Sequence, residues 1–460
     1  MRKPMSDTEV LLMAACAVVG VLFARPVPLG VAVLVGVTAV AARVPLLALA
    51  AALLLGSSVS ARSWEAVRPA AVPVAAQHYA GPATLVVDPV RRGPLTHVVL
   101  SVGRQRYDVW AAGSPGRRLL RRDAQEVVWV DAVVRPPSAA RWRRLALLHI
   151  TGEMKVTSVV DWSTGSPLAR STQRTRAALA RGASALDPVD RSLFLGLVIG
   201  DDRDQPPVLV DDFRRAGLGH LSAVSGQNVA FLLAVALPLL RRCRPLWRWL
   251  FTVGLLAWFA ALTRFEPSVL RATVMAGLAA TAFGLGRVAS PVRLLGLAVT
   301  LLVLVDPFLV HSVGFWLSVS ATAGIVLLAR RLAGGIPGPR WLALVAAVTL
   351  SAQIGVAPVA WWVFGREAVW ALPANLLAEP AAAFVMTYGL PAGLLAGFLP
   401  APLAAAVHGP TLFALRWLRL VARTAALGDW PWARPLVSAF GLVVVAWLLR
   451  RSARAVGSPR

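Results

Sequence analysis

Five polar side chains, His220, Ser222, Ser225, Gln227 and Asn228, crowd the start of an apolar run that begins near residue 221. Each donates or accepts hydrogen bonds, and such groups at the end of a hydrocarbon-crossing helix are costly unless they face water or protein. His220, Ser222, Ser225 and Asn228 recur at helical spacing, so they can share one face. Two uses fit that face: lining an aqueous path, or capping the helix and bonding to a neighbouring one. Gly217, Gly219 and Gly226 lie among them and permit a bend or a close backbone approach. Arg271 sits one turn into another apolar run, after Glu266-Pro267-Ser268. A guanidinium there costs at least ~2.5 kcal/mol on insertion scales. It fits either a buried pair with Glu266 or backbone, or contact with a phosphate passing through a pore. Gln353, Asn375 and Glu379 are further polar residues in apolar runs and suit a second half of the same pathway. Asp201, Asp202 and Asp204, with Asp211 and Asp212 close behind, form an acidic cluster. It reads as a cation or gating site, or as a solvated loop with Asp211 or Asp212 capping a helix.

Other chemistry is missing from the sequence. The histidines are His78, His97, His149, His220, His311 and His408, too dispersed for a His-x-His-x-Asp-His metal cluster. No Gly-x-x-x-x-Gly-Lys phosphate loop occurs. Cys16 and Cys243 lie in an apolar segment and an Arg-rich loop, so no disulfide is expected. No catalytic residue, metal or cofactor is therefore expected, and the chain reads as a non-enzyme.

The elements that must hold these residues are membrane helices. The chain has 460 residues, is 57% hydrophobic and contains 17 Trp. Apolar stretches of roughly 17–25 residues recur, the length needed to cross a ~30 Å hydrocarbon layer. Three short ones come first, at about 10–24, 28–42 and 45–60, broken at Arg25-Pro26 and at Arg43. Nine more follow at about 221–240, 246–263, 267–285, 291–305, 311–329, 341–363, 371–397, 401–424 and 434–450. Pro373, Asn375, Glu379, Pro380 and Pro391 predict a broken helix in 371–397, and 401–424 is open to similar irregularity. Trp361, Trp362, Trp370, Trp430 and Trp432 sit at helix ends, where interfacial belts form.

Between the two sets, residues 65–165 change character. Alternating β-branched runs appear at 84–87, 97–102, 106–110, 127–134 and 155–160, punctuated by Gly-Pro and Pro-Pro. Five short strands suit a small OB-like barrel. It carries Arg91, Arg92, Arg104, Arg106, Arg117, Arg118, Arg121 and Arg122, and the aromatics Tyr107, Trp110 and Trp129. A solvated basic domain and a nucleic-acid surface both fit. Residues 166–187 read as a basic helix. Asp187-Pro188 opens another, whose Leu193, Leu197 and Val198 share a face suited to the interface.

The net charge is +25, nearly all Arg. This fits the positive-inside rule and also attraction to a polyanion. Basic loops around Arg241–Arg248, Arg287–Arg293, Arg330–Arg340 and Arg450–Arg451 alternate with cation-poor ones. About 12 crossings then place both termini in the cytoplasm and the β-domain outside.

Several blocks are similar to the ComEC competence-channel family. They are Gly196 to Gly200 with Asp201, AGLGHLSAVSGQNV (216–229), EPSVLRATVMAG (266–277), DPFLVHSVGFWLSVSATAGIVLLA (306–329), and AQIGVAPVAWWVFG (352–365) with ALPANLLAEP (371–380). They fall in family order over about 195–380. The resemblance implies an inner-membrane protein that passes transforming DNA into bacteria. Many family members read Ser-Gly-Leu-His where this chain has Ser225-Gly226-Gln227-Asn228, so a His-dependent role there is not carried over. Longer members add a C-terminal metallo-β-lactamase-like domain proposed to degrade one strand; this sequence shows no such cluster.

The resulting expectation is a polytopic α-helical membrane protein with about 12 transmembrane segments and an inserted small all-β, OB-like extracytoplasmic domain. Its parts are N-terminal transmembrane helices (1–62), β-domain (63–165), linker and amphipathic helix (166–199), channel domain (200–450) and basic tail (451–460). The expected activity is import of single-stranded DNA across the cytoplasmic membrane, with a transporter or assembly scaffold of the same fold as the alternative. The expected partners are single-stranded DNA, a competence DNA receptor with pilus components, a cytoplasmic ATP-driven helicase and a separate nuclease. The sequence leaves homo-oligomerisation open.

Overall fold

A computed structural model describes residues 5–428 except 43, 69–76, 223 and 366–369. The expected crossing at 434–450, the basic tail, Trp430, Trp432, Arg2, Lys3 and Arg43 lie outside the described residues. The elements run α1 Asp7–Phe23, α2 Leu29–Ala42, α3 Pro45–Ala66, β1 Gln77–Leu85, β2 Val90–Arg92, β3 Leu95–Val102, β4 Gln105–Ala111, α4 Gly113–Leu120, β5 Val127–Arg135, α5 Ala139–Ala146 and β6 Ile150–Ser163. Then come α6 Pro167–Gly182, α7 Pro188–Ile199, α8 Pro207–Arg215, α9 Gly226–Leu240, α10 Pro245–Leu262, α11 Pro267–Gly284, α12 Pro291–Val305, α13 Val313–Gly335, α14 Arg340–Phe364, α15 Ala371–Phe384, α16 Leu390–Ala396 and α17 Ala401–Leu427.

The chain forms two compact units, Met1–Arg174 with Thr300–His311, and Thr175–Val299 with the described residues from Ser312 onward. In the first, α1 starts at a capping box: Ser6 Oγ accepts from the Glu9 N–H, and Glu9 accepts from the Ser6 N–H at 2.6 Å. Its β-strands alternate. Val98, Leu100, Val109, Val128 and Val130 point inward and are buried, so the period-2 pattern becomes a core. The strand order is β1-β5-β6-β4-β3-β2, and β1 also pairs with β3 at Thr84↔Ser101 and Leu85↔Leu100. Five strands thus close into a ring, with β2 added outside. β4 and β6 run parallel, the other pairs antiparallel. The segment 300–311 returns to this unit. His149 bonds both carboxylate oxygens of Asp306 at 3.1 Å, and Phe308 packs edge-on against Trp64 at 4.9 Å.

In the second unit, prolines in the first turn open α7, α8, α10 and α11. Asp187 caps α7, accepting from Val189 and Asp190 N–H groups. Ser192 through Ile199 are all buried, so α7 is a core helix rather than the interfacial one its leucines suggested. The pair α13 and α14 packs through glycine. A Cβ on Gly324 would strike the Ser351 carbonyl, and one on Gly355 would strike the Ser320 carbonyl.

Among the described residues, four helices are long and apolar enough to cross a membrane: Pro45–Ala66, Pro245–Leu262, Val313–Gly335 and Leu342–Phe364. Leu29–Ala42, Gly226–Leu240 and Pro291–Val305 are apolar but shorter. At 1.5 Å per residue, fifteen residues reach only about 22 Å of a ~30 Å layer. Of the about 12 crossings expected, four meet the length criterion among the described residues. The break expected in 371–397 is not formed: the helix runs on from α15 through a π-turn at Val385–Gly389 into α16, with Pro380 inside α15. The segment 401–424, expected to be open to irregularity, is instead one continuous helix that accommodates Pro410.

Candidate functional site

The polar cluster before α9 is a turn, and the helix begins later than its spacing suggested. The chain leaves α8, passes Gly217 at φ 72°, makes a 3-10 turn at Gly219–Leu221 and enters α9 at Gly226. Gly217 holds the left-handed conformation that other residues resist. Ser225 is extended at φ −118° and ψ 164°. The extended Ser225 separates the 3-10 turn from α9, so His220 and Ser222 precede the helix and no single helical face unites the four polar residues.

Their bonds pin backbone. Ser222 Oγ donates to the Gly219 carbonyl at 2.9 Å, while Gln205 Nε2 donates to the Ser222 carbonyl at 2.7 Å. Ser225 Oγ donates to Asn228 Oδ1 at 3.3 Å. Asn228 is buried, and its Nδ2 donates to the Leu197 carbonyl at 2.7 Å, tying α9 to the last turn of α7. Asn375 Nδ2 donates to the Ala371 carbonyl at 2.6 Å and reaches the Gly217 carbonyl at 3.5 Å, with Oδ1 buried and unpartnered. Gln353 Nε2 is likewise buried without a hydrogen bond.

Glu379 of α15 gathers the exposed members. Gln227 Nε2 donates to its Oε2 at 2.8 Å, and His220 Nε2 lies 3.7 Å from its Oε1. The Glu379 side chain is 19% accessible, so this trio faces solvent on one side.

Arg271 is the unusual group. It is 8% exposed in α11, one turn from the N-terminus. Its Nε donates to Ser318 Oγ of α13 at 2.8 Å and its Nη1 to Met275 Sδ at 3.3 Å. Among the described residues it has no carboxylate within ion-pair distance, so the Glu266 pair is not formed. Gly226 lies against it. A Cβ there would stand 2.7 Å from Nη2 and 3.0 Å from the Ser268 carbonyl, so glycine lets α9 and α11 meet at the guanidinium.

The acidic cluster does not converge. Asp201 accepts from Arg203 Nε at 2.8 Å and Nη2 at 2.7 Å and from Arg176 Nη2 at 3.1 Å. Asp211 pairs with Arg215 inside α8, so neither it nor Asp212 caps that helix. Among the described residues no three His, Cys, Asp or Glu side chains could hold a metal ion.

Three buried carboxylates escaped the sequence reading, Glu126 at 8% exposure among them. Asp190 is fully buried in α7 and accepts from Arg419 Nη1 of α17 at 2.7 Å. Asp108, in β4, is 4% exposed. Only the Asp187-Pro188-Val189-Asp190 spacing hints at Asp190, and alternation beside His97 and Trp110 at Asp108.

A family profile described as Competence protein matches residues 197–454. The chain is 26% identical over 255 residues to ComE operon protein 3 of Bacillus subtilis (strain 168), which covers 54% of this chain and 32% of that protein. It is 28% identical over 215 residues to Uncharacterized protein YcaI of Escherichia coli (strain K12), covering 42% and 28%. A protein of Aquifex aeolicus (strain VF5) is 30% identical over 170 residues, covering 37% and 40%. The chain thus aligns with well under half the length of each of these relatives. No solved structure matches.

Proposed function

The chain belongs to the competence protein family, and on that premise we propose that it is a channel for import of single-stranded DNA across the cytoplasmic membrane. The observation that carries this reading is Arg271. A guanidinium buried in an apolar helix, bonded to a hydroxyl and a thioether and facing no carboxylate among the described residues, keeps its positive charge uncompensated there. That is a poor structural pair and a good contact for a passing phosphodiester. The half-open Glu379, Gln227 and His220 trio forms a polar rim on the same unit. In this reading the five-strand ring is an OB-like barrel on the outer surface, supported by its parallel β4–β6 pair and the helix α4 between β4 and β5. Both termini are cytoplasmic, following the Arg-rich loops.

The driving force would come from a cytoplasmic ATP-driven helicase, and strand degradation from a separate nuclease. A competence DNA receptor with pilus components would deliver the substrate. No step here calls for catalysis by the chain itself.

The test is uptake of labelled DNA, scored as nuclease-protected cytoplasmic strands, with electroporation as control. Arg271→Leu, expressed and inserted normally, is expected to lose at least about tenfold of uptake, a difference of roughly 1.4 kcal/mol. Arg271→Lys is expected to keep part of it. Full uptake by Arg271→Leu would remove this residue from the path. Unchanged uptake in cells lacking the protein would favour the second reading, a transporter or scaffold of the same fold, which the Gln227-Asn228 departure from the family spelling motivates.

A further inference from the structure

The outer face of β3 and β4 carries a pair of rings that the proposed channel does not use. On β3, Val98 and Leu100 point into the barrel, which turns His97 and Val99 outward. On β4, Val109 and Ala111 point inward, which turns Asp108 and Trp110 outward. Helix α5 covers part of this face, where Leu145 packs with Val99. The rest stays open, and Trp110 is 40% exposed.

His97 and Trp110 are directly opposed across the strands, and their rings lie 4.5 Å apart at 36°. Asp108 points outward yet is buried, because three donors close over it. His97 Nε2 lies at 2.7 Å, Trp110 Nε1 at 3.0 Å and Arg141 Nη2 at 2.9 Å. Arg141 also donates to Glu153 at 2.7 Å. Burying a carboxylate is costly, and an exposed sheet face has no need of one. What this one accomplishes is to lock both rings by their edge nitrogens, which leaves the π faces as the groups on offer. A ring already fixed has little rotamer freedom left to lose on binding.

The surroundings are cationic. β2 places Arg92 opposite Leu95, on the face of His97 and one strand away, whereas Arg91, opposite the inward Thr96, points to the other face. The two acids nearby, Asp108 and Glu153, are both engaged by Arg141. The barrel's other exposed tryptophan beside an arginine, Trp162, already carries Arg122 over its ring at 4.0 Å. Among the described residues no arginine lies over the His97–Trp110 pair.

We propose that His97 and Trp110, held by Asp108 and flanked by Arg92 and Arg141, form a stacking site for the bases of single-stranded nucleic acid. The inference rests on the channel reading for its ligand class. Stacking on a fixed aromatic surface within a basic field is sequence-tolerant, because every base has a π face.

The test uses the full-length protein in nanodiscs and two probes of equal charge, a labelled oligo(dT) of about 12 nucleotides, within the range for one barrel, and an abasic oligomer of the same length. Trp110→Ala is expected to weaken oligo(dT) binding about tenfold or more, as loss of one stacked base does. Trp110→Phe should keep most of it, which separates stacking from misfolding. The abasic probe should bind wild type as weakly as oligo(dT) binds Trp110→Ala. Equal binding of both probes to wild type would overturn the proposal and leave a purely electrostatic surface, suited to an acidic protein. Undiminished oligo(dT) binding by Trp110→Ala would overturn it as well. Arg271→Leu separates the two readings: it should import less DNA while keeping the difference between oligo(dT) and the abasic probe, which reports stacking alone. Trp110-dependent binding in a protein that imports nothing would sink the channel and keep the stacking site.

Discussion

Asn228 occupies a position that the sequence offered as pathway lining, yet its amide is spent on the Leu197 carbonyl and on Ser225. Asn228→Ala should therefore lower thermal stability by about 1–3 kcal/mol, the cost of an orphaned buried acceptor. Melting of the purified protein checks this, and unchanged stability with lost uptake would return the residue to the path. Asp108 makes a pH prediction. Burial pushes its carboxyl up, but the His97 and Trp110 hydrogen bonds and the His97 and Arg141 charges outweigh burial and hold it below the ordinary carboxylate range. A carboxyl lowered by folding contributes stability that is complete above the unfolded value, about 4, and fades as pH falls through the lower folded value. Barrel stability should thus fall on acidification below pH of about 4, and Asp108→Asn should remove that component. A wild type and an Asp108→Asn protein with parallel acid profiles would contradict the assignment. The sequence exposed Arg271 as an anomaly because charge in an apolar run is visible in one dimension. Its missing partner was not visible, since Ser318 and Gly226 reach it only through folding.

At the scale of elements, the crossing of α13 and α14 depends on two glycines packed against facing carbonyls. Gly324→Ala should push the helices apart and cost on the order of 1–3 kcal/mol. Gly334 lies in the same helix with open space around it, so Gly334→Ala should be neutral or slightly stabilising. Comparing the two by detergent denaturation isolates packing from helix propensity; equal effects would show that close approach is not the issue. Alternation and glycine-proline punctuation made the strands legible: the five runs read from pattern fall within β1 and β3 to β6, give or take a few residues. The three-residue β2 was too short to carry a period. Helix α7 was misplaced because its leucine face was read alone, whereas every residue from Ser192 to Ile199 is buried by neighbours distant in sequence.

For the whole molecule, the arginine-rich loops predict which side each face meets. Cys243 lies in one such loop, partly accessible. A membrane-impermeant maleimide should label it only after the cells are opened, while Arg104→Cys in the β3–β4 turn should be labelled from outside. The reverse pattern would invert the orientation. The number of crossings stayed less legible than the apolar runs themselves, because several runs fold into helices shorter than a bilayer core. One further consequence follows from the first unit's use of residues 300–311. Trp64 and His149 wait for Phe308 and Asp306, which a ribosome makes more than 150 residues after His149. At roughly 5–20 residues per second the unit stays unfinished for many seconds of synthesis. Nascent chains stalled before residue 300 should thus show protease-sensitive Trp64 surroundings that become resistant once the His149–Asp306 clasp has emerged.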